Sequence, residues 1–88
     1  MIDERALFIL QLQHNAAQRG VLAFWTVYDH PKDYPHGFCA RRHDVPGGPQ
    51  DCYLMAPLEE LRSVFEGAGL HCLPRAEGDD SKIVETWI

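Results

Sequence analysis

Two stretches decide the fold: VLAFWTVYD (Val21–Asp29) and, after a loop, FCARRHDV (Phe38–Val45). The first is rich in β-branched and aromatic residues, which favour a pleated, packed surface. Both of its alternating faces are apolar in its first half, a pattern typical of a central strand. Residues 30–37 carry two prolines and a glycine and are predicted to form a loop. That connection is too short for a parallel crossover, so we expect the second stretch to pair antiparallel with the first.

The chain before this pair is predicted to form one helix that ends at Gly20. Asp3 can cap its first turn, and Ile2 and Leu7 have the spacing of a hydrophobic staple. The apolar surface around Ala6–Leu12 is wider than the stripe of a helix that packs on one side only. We expect this helix to pack on two sides, or alternatively to share its surplus apolar surface with another molecule.

A turn and a second helix follow the strand pair. Residues 46–49 (PGGP) break the chain, and Cys52–Met55 is predicted to form a short third strand. Pro57 suits the first position of a helix, because its missing N–H has no partner there in any case. The apolar residues of this helix recur at helical spacing and are Leu58, Leu61, Val64, Phe65 and Ala68.

Two short strands are predicted to close the chain, at 70–73 and 82–88, with a polar, acidic turn between them. In the last strand Ile83, Glu85 and Trp87 are expected on one side, because side chains alternate along a strand. The predicted fold class is α+β: a small antiparallel sheet of three to five strands covered by one or two helices, in the order α-β-β-(β)-α-β-β.

Size and composition limit the classes of protein to consider. The 88 residues have room for a single domain, and the 45% apolar content is ordinary for a globular chain. Within that domain, residues 1–20 are either an integral helix or an extension to an α+β core at 21–88. The net charge of −5 disfavours nucleic acid as a partner, because duplex binding depends mainly on neutralising phosphates.

Cysteine usage and hydropathy indicate the compartment. Three cysteines without a C-x-x-C pair argue against a disulfide framework and favour free thiols in a reducing environment. The apolar stretch near the N-terminus is far too short to span a bilayer. We therefore expect a cytoplasmic protein that does not enter a membrane.

The run WTVYDHPKDYPHGFCARR (Trp25–Arg42) has an unusual composition. It resembles the signature W-T-x-Y-x-x-P-x-D-Y-P…F-x-A-R-R of a group of short, uncharacterised bacterial proteins. In that group a Leu-Glu-Glu-rich helix and a terminal V-E-x-W-I strand follow, and residues 58–61 and 84–88 look like those pieces. The resemblance covers 24–88, and it implies a fold and class but no activity.

Histidines and a cysteine cluster in sequence around the second strand. His36, Cys39 and His43 are of types that bind zinc, which takes imidazole and thiolate ligands. Cys39 with a nearby histidine could alternatively act as a nucleophile. The spacing suits neither role well, because Cys39 and His43 are separated by four residues on one strand face and no paired ligand motif is present. We therefore favour a structural cysteine and surface imidazoles, and keep zinc or thiol activity as the alternative.

A binding patch is the other interpretation of the same hairpin. Arg41 and Arg42 point to opposite faces of their strand, so at most one faces the core. One is expected to pair with an acidic residue such as Asp29, Asp33 or Glu85, in an internal salt bridge that holds the loop on the sheet. The alternative is that an arginine beside aromatic side chains holds a carboxylate or phosphate ligand. The loop before the strand is stiffened by its prolines and therefore suited to binding. The candidate binding residues are Tyr28, His30, Asp33, Tyr34, Arg41 and Arg42.

The sequence therefore predicts a non-catalytic binding or regulatory module that acts through the hairpin Tyr28–His43. Its expected partner is another protein or a small anionic ligand, and no cofactor is required. A metal- or thiol-dependent activity around His36, Cys39 and His43 is the competing hypothesis. The apolar helix near the N-terminus and the closing residues Trp87–Ile88 could also form the seam of a homodimer.

Overall fold

The computed structural model describes residues 3–88. It contains two helices and five strands in the order α-β-β-β-α-β-β, which confirms the predicted α+β fold class. The elements are α1 (Glu4–Gln18), β1 (Leu22–Asp29), β2 (Phe38–Val45), β3 (Gly48–Met55), α2 (Leu58–Gly67), β4 (Cys72–Pro74) and β5 (Ile83–Trp87). Among these residues, neither helix has the length and apolar character needed to cross a membrane.

The five strands form one antiparallel sheet in the order β3-β2-β1-β5-β4. β1 lies at its centre and pairs with β2 along its whole length, from Leu22 opposite Val45 to Asp29 opposite Phe38. The predictions of a central first strand and an antiparallel partner are both confirmed. Because β1 is paired on both sides, its side chains fix which residues share each face of the sheet.

Both helices pack on the sheet face that carries Trp25, Val27 and Trp87. The ring of Phe65 on α2 lies 5.7 Å from those of Trp25 and Trp87, so the three aromatic rings form the centre of the core. Aromatic side chains bury more apolar area than any other type, which lets a chain this short close a core. The fully buried core residues are Ala6, Ile9, Trp25, Val27, Ala40, Leu61, Val64, Phe65, Ala68 and Trp87.

Helix α1 is an integral part of this core. Asp3 caps it, accepting a hydrogen bond from the backbone N–H of Arg5 at 2.8 Å, as predicted. Gln13 donates to the carbonyl of Ala23 at 2.9 Å and accepts from the indole N–H of Trp25, which ties the helix to β1. The predicted staple involves Ile2, which lies outside the described residues.

Helix α1 packs on both α2 and β1, but this packing leaves its outer side exposed. Ala6, Ile9 and Ala16 are buried, whereas Leu7, Phe8 and Leu10 are each about half exposed. The sheet has its second helix on the same face, and no element of residues 3–88 covers the outer side of α1. Trp87 is buried in the core, so it is not available for the predicted homodimer seam.

Among the element boundaries that differ from the prediction are those of β3, α2 and β4. The third strand starts at Gly48, not Cys52, because residues 46–47 alone make the turn and Pro49 lies on an edge strand, where a missing N–H is tolerated. Pro57 is the N-cap of α2, and the helix begins at Leu58. The fourth strand is Cys72–Pro74, two residues later at its start than predicted.

The last strand contains an irregularity that its sequence pattern did not indicate. Trp87 pairs with Trp25 and Glu85 with Val27, but the register then shifts so that Ile83 pairs with Tyr28. Ile83 therefore shares the face of Tyr28, and only Glu85 and Trp87 share the core face as predicted. A bulge of this kind adds a residue to one strand and reverses the alternation beyond it.

Candidate binding face of the sheet

The sheet face opposite the helices is covered by no element of residues 3–88, and we call it the helix-free face. The register brings its side chains into rows across the strands. The central row runs from β3 to β4 and consists of Tyr53, Arg41, Thr26, Thr86 and Leu73. The row on one side consists of Met55, Cys39, Tyr28 and Ile83. The row on the other side consists of Pro49, His43 and Phe24, and the pair Val45 and Leu22 lies beyond it.

Arg41 is the cationic side chain at the centre of this face. Its Nε donates to the carbonyl of Gln50 at 2.9 Å, and its guanidinium lies over the ring of Tyr53, 5.2 Å from the ring centre. Its Nη2 is 3.7 Å from the carboxylate of Asp51, at the edge strand. One hydrogen bond and one ring thus hold the guanidinium in place.

His43 joins two aromatic residues of β1 into one cluster. Its ring stacks on Phe24 with centres 5.3 Å apart and planes 7° apart, and its Nε2 lies 3.4 Å from the hydroxyl of Tyr28. Burial, and next the positive charge of Arg41, lower the pKa of His43 below its ordinary value, so the neutral ring is favoured. Burial likewise raises the pKa of Tyr28, which keeps its hydroxyl protonated.

The proline-containing loop folds over one end of the helix-free face and forms a pocket of about 210 Å³. This pocket brings together three of the predicted binding residues, Tyr28, Asp33 and Arg41. Its complete lining consists of Tyr28, Pro31, Asp33, Cys39, Arg41 and Tyr53. A guanidinium, a carboxylate and two phenol rings therefore face one small volume.

The other loop residues lie elsewhere. His30, Tyr34 and His36 line a separate pocket, together with Phe38 and the start of α2. The rings of Tyr34 and His36 meet edge to face with centres 6.4 Å apart. His30 is hydrogen-bonded to Asp29, and its carbonyl accepts from the Lys82 ammonium at 2.9 Å. These contacts fasten the loop to the end of β5 and keep this group apart from Arg41.

Arg42 lies on the opposite face of the sheet, within the helix-covered side. Its Nε donates to the carboxylate of Asp44 at 2.8 Å, and both side chains are buried. The predicted pairing of one arginine with a carboxylate is therefore found, but the partner is Asp44 and not one of the suggested residues Asp29, Asp33 and Glu85. Residues two apart on a strand share a face, so Asp44 is the nearest carboxylate to Arg42, while Glu85 is held by Arg62 at 2.8 Å.

The structure does not bring His36, Cys39 and His43 together. His36 lines the loop pocket away from Cys39, and the strand spacing separates Cys39 from His43 by about 13 Å. Within residues 3–88, no three histidine, cysteine or acidic side chains are grouped as metal ligands would be. Burial raises the pKa of Cys39, as it does for Cys52 and Cys72, which disfavours the reactive thiolate form of all three.

Sequence reasoning missed the contribution of β3. Tyr53 and Met55 alternate with Cys52 and Leu54, which is the period of a strand with one exposed face. That signal was present, but the preceding proline and glycine residues shortened the predicted strand. Phe24 was placed in the central strand without a role, because its stacking on His43 depends on cross-strand register.

Comparisons with known proteins add no family to this description. No family model matches the sequence, and no curated protein or solved structure matches it either. The resemblance of Trp25–Arg42 to a bacterial signature therefore stays a prediction. The function has to be argued from the surface of the molecule.

Proposed function

We propose that this protein is a non-catalytic, protein-binding module that docks a partner on its helix-free face, at the centre of which lies the hairpin Tyr28–His43. The partner is a different protein that presents an apolar surface with one acidic group opposite Arg41. Its three free cysteines suit a reducing compartment, and we include a cytoplasmic location in the proposal.

One observation carries the proposal: exposed apolar side chains concentrate on this face. Among the described residues, eight large hydrophobic side chains are exposed, and five of them lie on it: Leu22, Val45, Tyr53, Met55 and Leu73. Strand spacing and rise give the whole face, with its polar and buried positions, an area of roughly 500 Å², of which the exposed apolar side chains cover a part. Apolar patches of several hundred Å² on a monomer usually mark an interaction site.

The chemistry of the face resembles the centre of a protein interface. Such centres are enriched in tyrosine, other aromatic residues, methionine and arginine, and poor in lysine and glutamate. Tyr28, Phe24, Tyr53 and Met55 surround Arg41 in this way. A small-molecule site of comparable affinity would require a deeper pocket than the 210 Å³ beneath the loop.

A second copy of the chain is a poor occupant of this face. In a two-fold dimer, side chains near the axis face their own counterparts. Arg41 lies next to Thr26, the middle residue of the central row, so stacking two such faces about an axis that runs across the strands at this row would bury two guanidinium groups against each other. Desolvating like charges without a partner is costly, so a partner with a carboxylate at this point is favoured.

The thiol pKa values support a non-catalytic role. A nucleophilic cysteine needs a lowered pKa, and burial raises that of Cys39, the thiol nearest the pocket. Asp33 raises it further, which outweighs the opposing influence of Arg41. The pocket is thus better suited to contact than to covalent chemistry.

Site-specific photo-crosslinking tests the proposal. A photoreactive phenylalanine analogue replaces Tyr53 in one variant and the similarly exposed Leu10 of α1 in a control. Irradiation in source cells is expected to attach one partner protein at position 53 and none at position 10. The purified partner should then bind the wild-type chain, and Arg41→Glu and Met55→Lys should each weaken binding by about tenfold or more.

The control Leu10→Lys should leave the affinity unchanged, since it places the same charge on another exposed apolar position. Circular dichroism checks that each variant remains folded. Equal crosslinking from both positions, crosslinking of position 53 only to a second copy of the chain, or an affinity insensitive to Met55→Lys would each contradict the proposal.

A further inference from the structure

A second cleft lies on the helix-covered side of the sheet, away from the proposed docking face. It is an opening of about 400 Å³ between the C-terminal end of α1 and the β2–β3 hairpin. Its lining is mainly polar, and consists of Arg19, Arg42, Asp44, Gln50, Asp51 and Cys52. Neither the sequence nor the proposed function assigns a role to this cleft.

Arg42 has an unused hydrogen-bonding capacity in this cleft. Its side chain is 9% exposed, and its Nη2 is buried without a hydrogen-bond partner among residues 3–88. A guanidinium offers five N–H donors, and Asp44 engages the one on Nε, at 2.8 Å. Leaving a buried charged donor unpaired is expensive, so a buried guanidinium of this kind calls for an acceptor.

The cleft is lined by two guanidinium groups and two carboxylates, which differ in their burial and partners. Arg19, at the C-cap of α1, forms no salt bridge with any described residue, so it adds an uncompensated cation. Asp44 neutralises one guanidinium. The carboxylate of Asp51 also lines the cleft, but it is 95% exposed and therefore screened by solvent, and it lies 3.7 Å from Arg41.

This geometry suits an oxyanion as the ligand. Guanidinium groups bind carboxylate and phosphate through pairs of parallel N–H donors, and charge-assisted bonds of this kind are among the strongest in proteins. The partial negative charge at the end of α1 opposes an anion there, and the positive charge of Arg19, at the C-cap, counteracts it.

We propose that this cleft is a binding site for a small oxyanion, a phosphate or carboxylate group, held between the guanidinium groups of Arg42 and Arg19. Arg42 is the buried anchor that supplies the donor on Nη2, and Arg19 closes the cleft from α1. Because Nη2 is buried, Arg42 must adjust its side chain to present this donor to the cleft. The site is independent of the docking face, because it lies on the other side of the sheet.

Titration by nuclear magnetic resonance tests the site with two probes, inorganic phosphate and malonate, at constant ionic strength. Saturable shifts are expected at the Nε–H of Arg42 and at the side-chain amide of Gln50. Alkylation of Cys52, which lines the cleft, should slow on saturation, while that of the exposed Cys72 continues unchanged. A response to phosphate alone identifies a phosphate ligand, and a response to malonate alone identifies a carboxylate ligand.

A pair of exposed arginines provides the matched variants. Arg19→Gln should weaken binding of the responding probe about fivefold, the effect of losing one charged contact. Arg75→Gln, on the far side of the chain, should leave that binding unchanged. Neither variant disturbs a buried group, so both are expected to fold. The proposal would be overturned by absence of saturation with both probes or by equal losses of affinity in the two variants. Binding that does not protect Cys52 would indicate an adventitious ion only and would overturn it as well.

Discussion

At the scale of single residues, Glu85 is the buried charge on which the core depends. It is 4% exposed and accepts hydrogen bonds from the indole N–H of Trp87 and from Arg62, both at 2.8 Å. Burial by itself raises the pKa of this carboxyl, but the bonds from Arg62 and Trp87 outweigh it and hold the pKa below its ordinary value. The ionised form is therefore the one that the fold stabilises.

Replacing Glu85 by glutamine should lower the free energy of unfolding by about 1–3 kcal/mol at neutral pH, because a charge-assisted pair is lost in the interior. Urea titration followed by tryptophan fluorescence measures it. The exposed control Glu77→Gln should change stability by less than about 0.5 kcal/mol. A carboxyl whose folded pKa is depressed stabilises above its unfolded pKa and loses that contribution as the pH falls through the folded value. The gap between wild type and Glu85→Gln should thus close in acid, and a gap that persists there contradicts the assignment.

At the scale of elements, α1 contributes one face to the core and leaves the other exposed. Ile9→Ala and Leu10→Ala remove the same class of side chain from adjacent positions that are 2% and 50% exposed. Ile9→Ala should lower the free energy of unfolding by about 2–5 kcal/mol, because it leaves a cavity beside Trp25. Leu10→Ala should lower it by less than about 0.5 kcal/mol. Thermal unfolding of both variants measures the difference. Equal small effects would mean that α1 is an extension and not part of the folded domain.

Helices and strands with a strong local sequence pattern were predictable, whereas the way in which they pack on one another was less so. The Val21–Asp29 run predicted the central strand because its apolar and aromatic side chains occupy both faces. The apolar positions of α2, at helical spacing, are all packed in the core. Exposure on the outer side of α1 was not predictable, because a wide apolar surface is compatible with burial on two sides or with one side left bare.

The residues of the helix-free face were predictable in part, because a local pattern determines which face a side chain occupies but not which side chain lies beside it. Alternation along β2 placed Arg41 and Arg42 on opposite faces, which is correct. Their partners depend on register and on the length of the neighbouring strand, and a local pattern does not encode either. Tyr53 meets Arg41 because of the register of the β2–β3 pairing, which shifts between Arg41 and His43.

At the scale of the whole molecule, the two faces of the sheet have opposite chemistry. The helix-covered side holds the core and three buried charges, Arg42, Asp44 and Glu85, each with at least one partner. The helix-free side holds aromatic and aliphatic groups around a single guanidinium. A thin domain of this size gains stability from one face only, and the other is available for contacts.

The pH dependence of the free energy of unfolding should reflect the different environments on the two faces of the sheet. The neutral form of His43 is favoured in the folded chain, because burial and Arg41 lower its pKa, while Asp44 opposes them weakly. The unfolded chain then binds more protons between the folded pKa and the ordinary value of 6.5, so stability rises with pH through that window. The free energy of unfolding should therefore fall as the pH drops below about 6.5, well before Glu85 contributes.

His43→Phe tests this directly, because phenylalanine can keep the stack on Phe24 without titrating. Urea titrations at a series of pH values should show a smaller loss of stability on mild acidification in this variant than in the wild type. His14→Gln, which removes an exposed imidazole from α1, is expected to leave that loss unchanged. The absolute stability of His43→Phe also includes the lost contact with Tyr28, so the comparison rests on the slope with pH. An unchanged slope in His43→Phe would mean that the ring titrates alike in the folded and unfolded chains, and that the helix-free face does not select its neutral form.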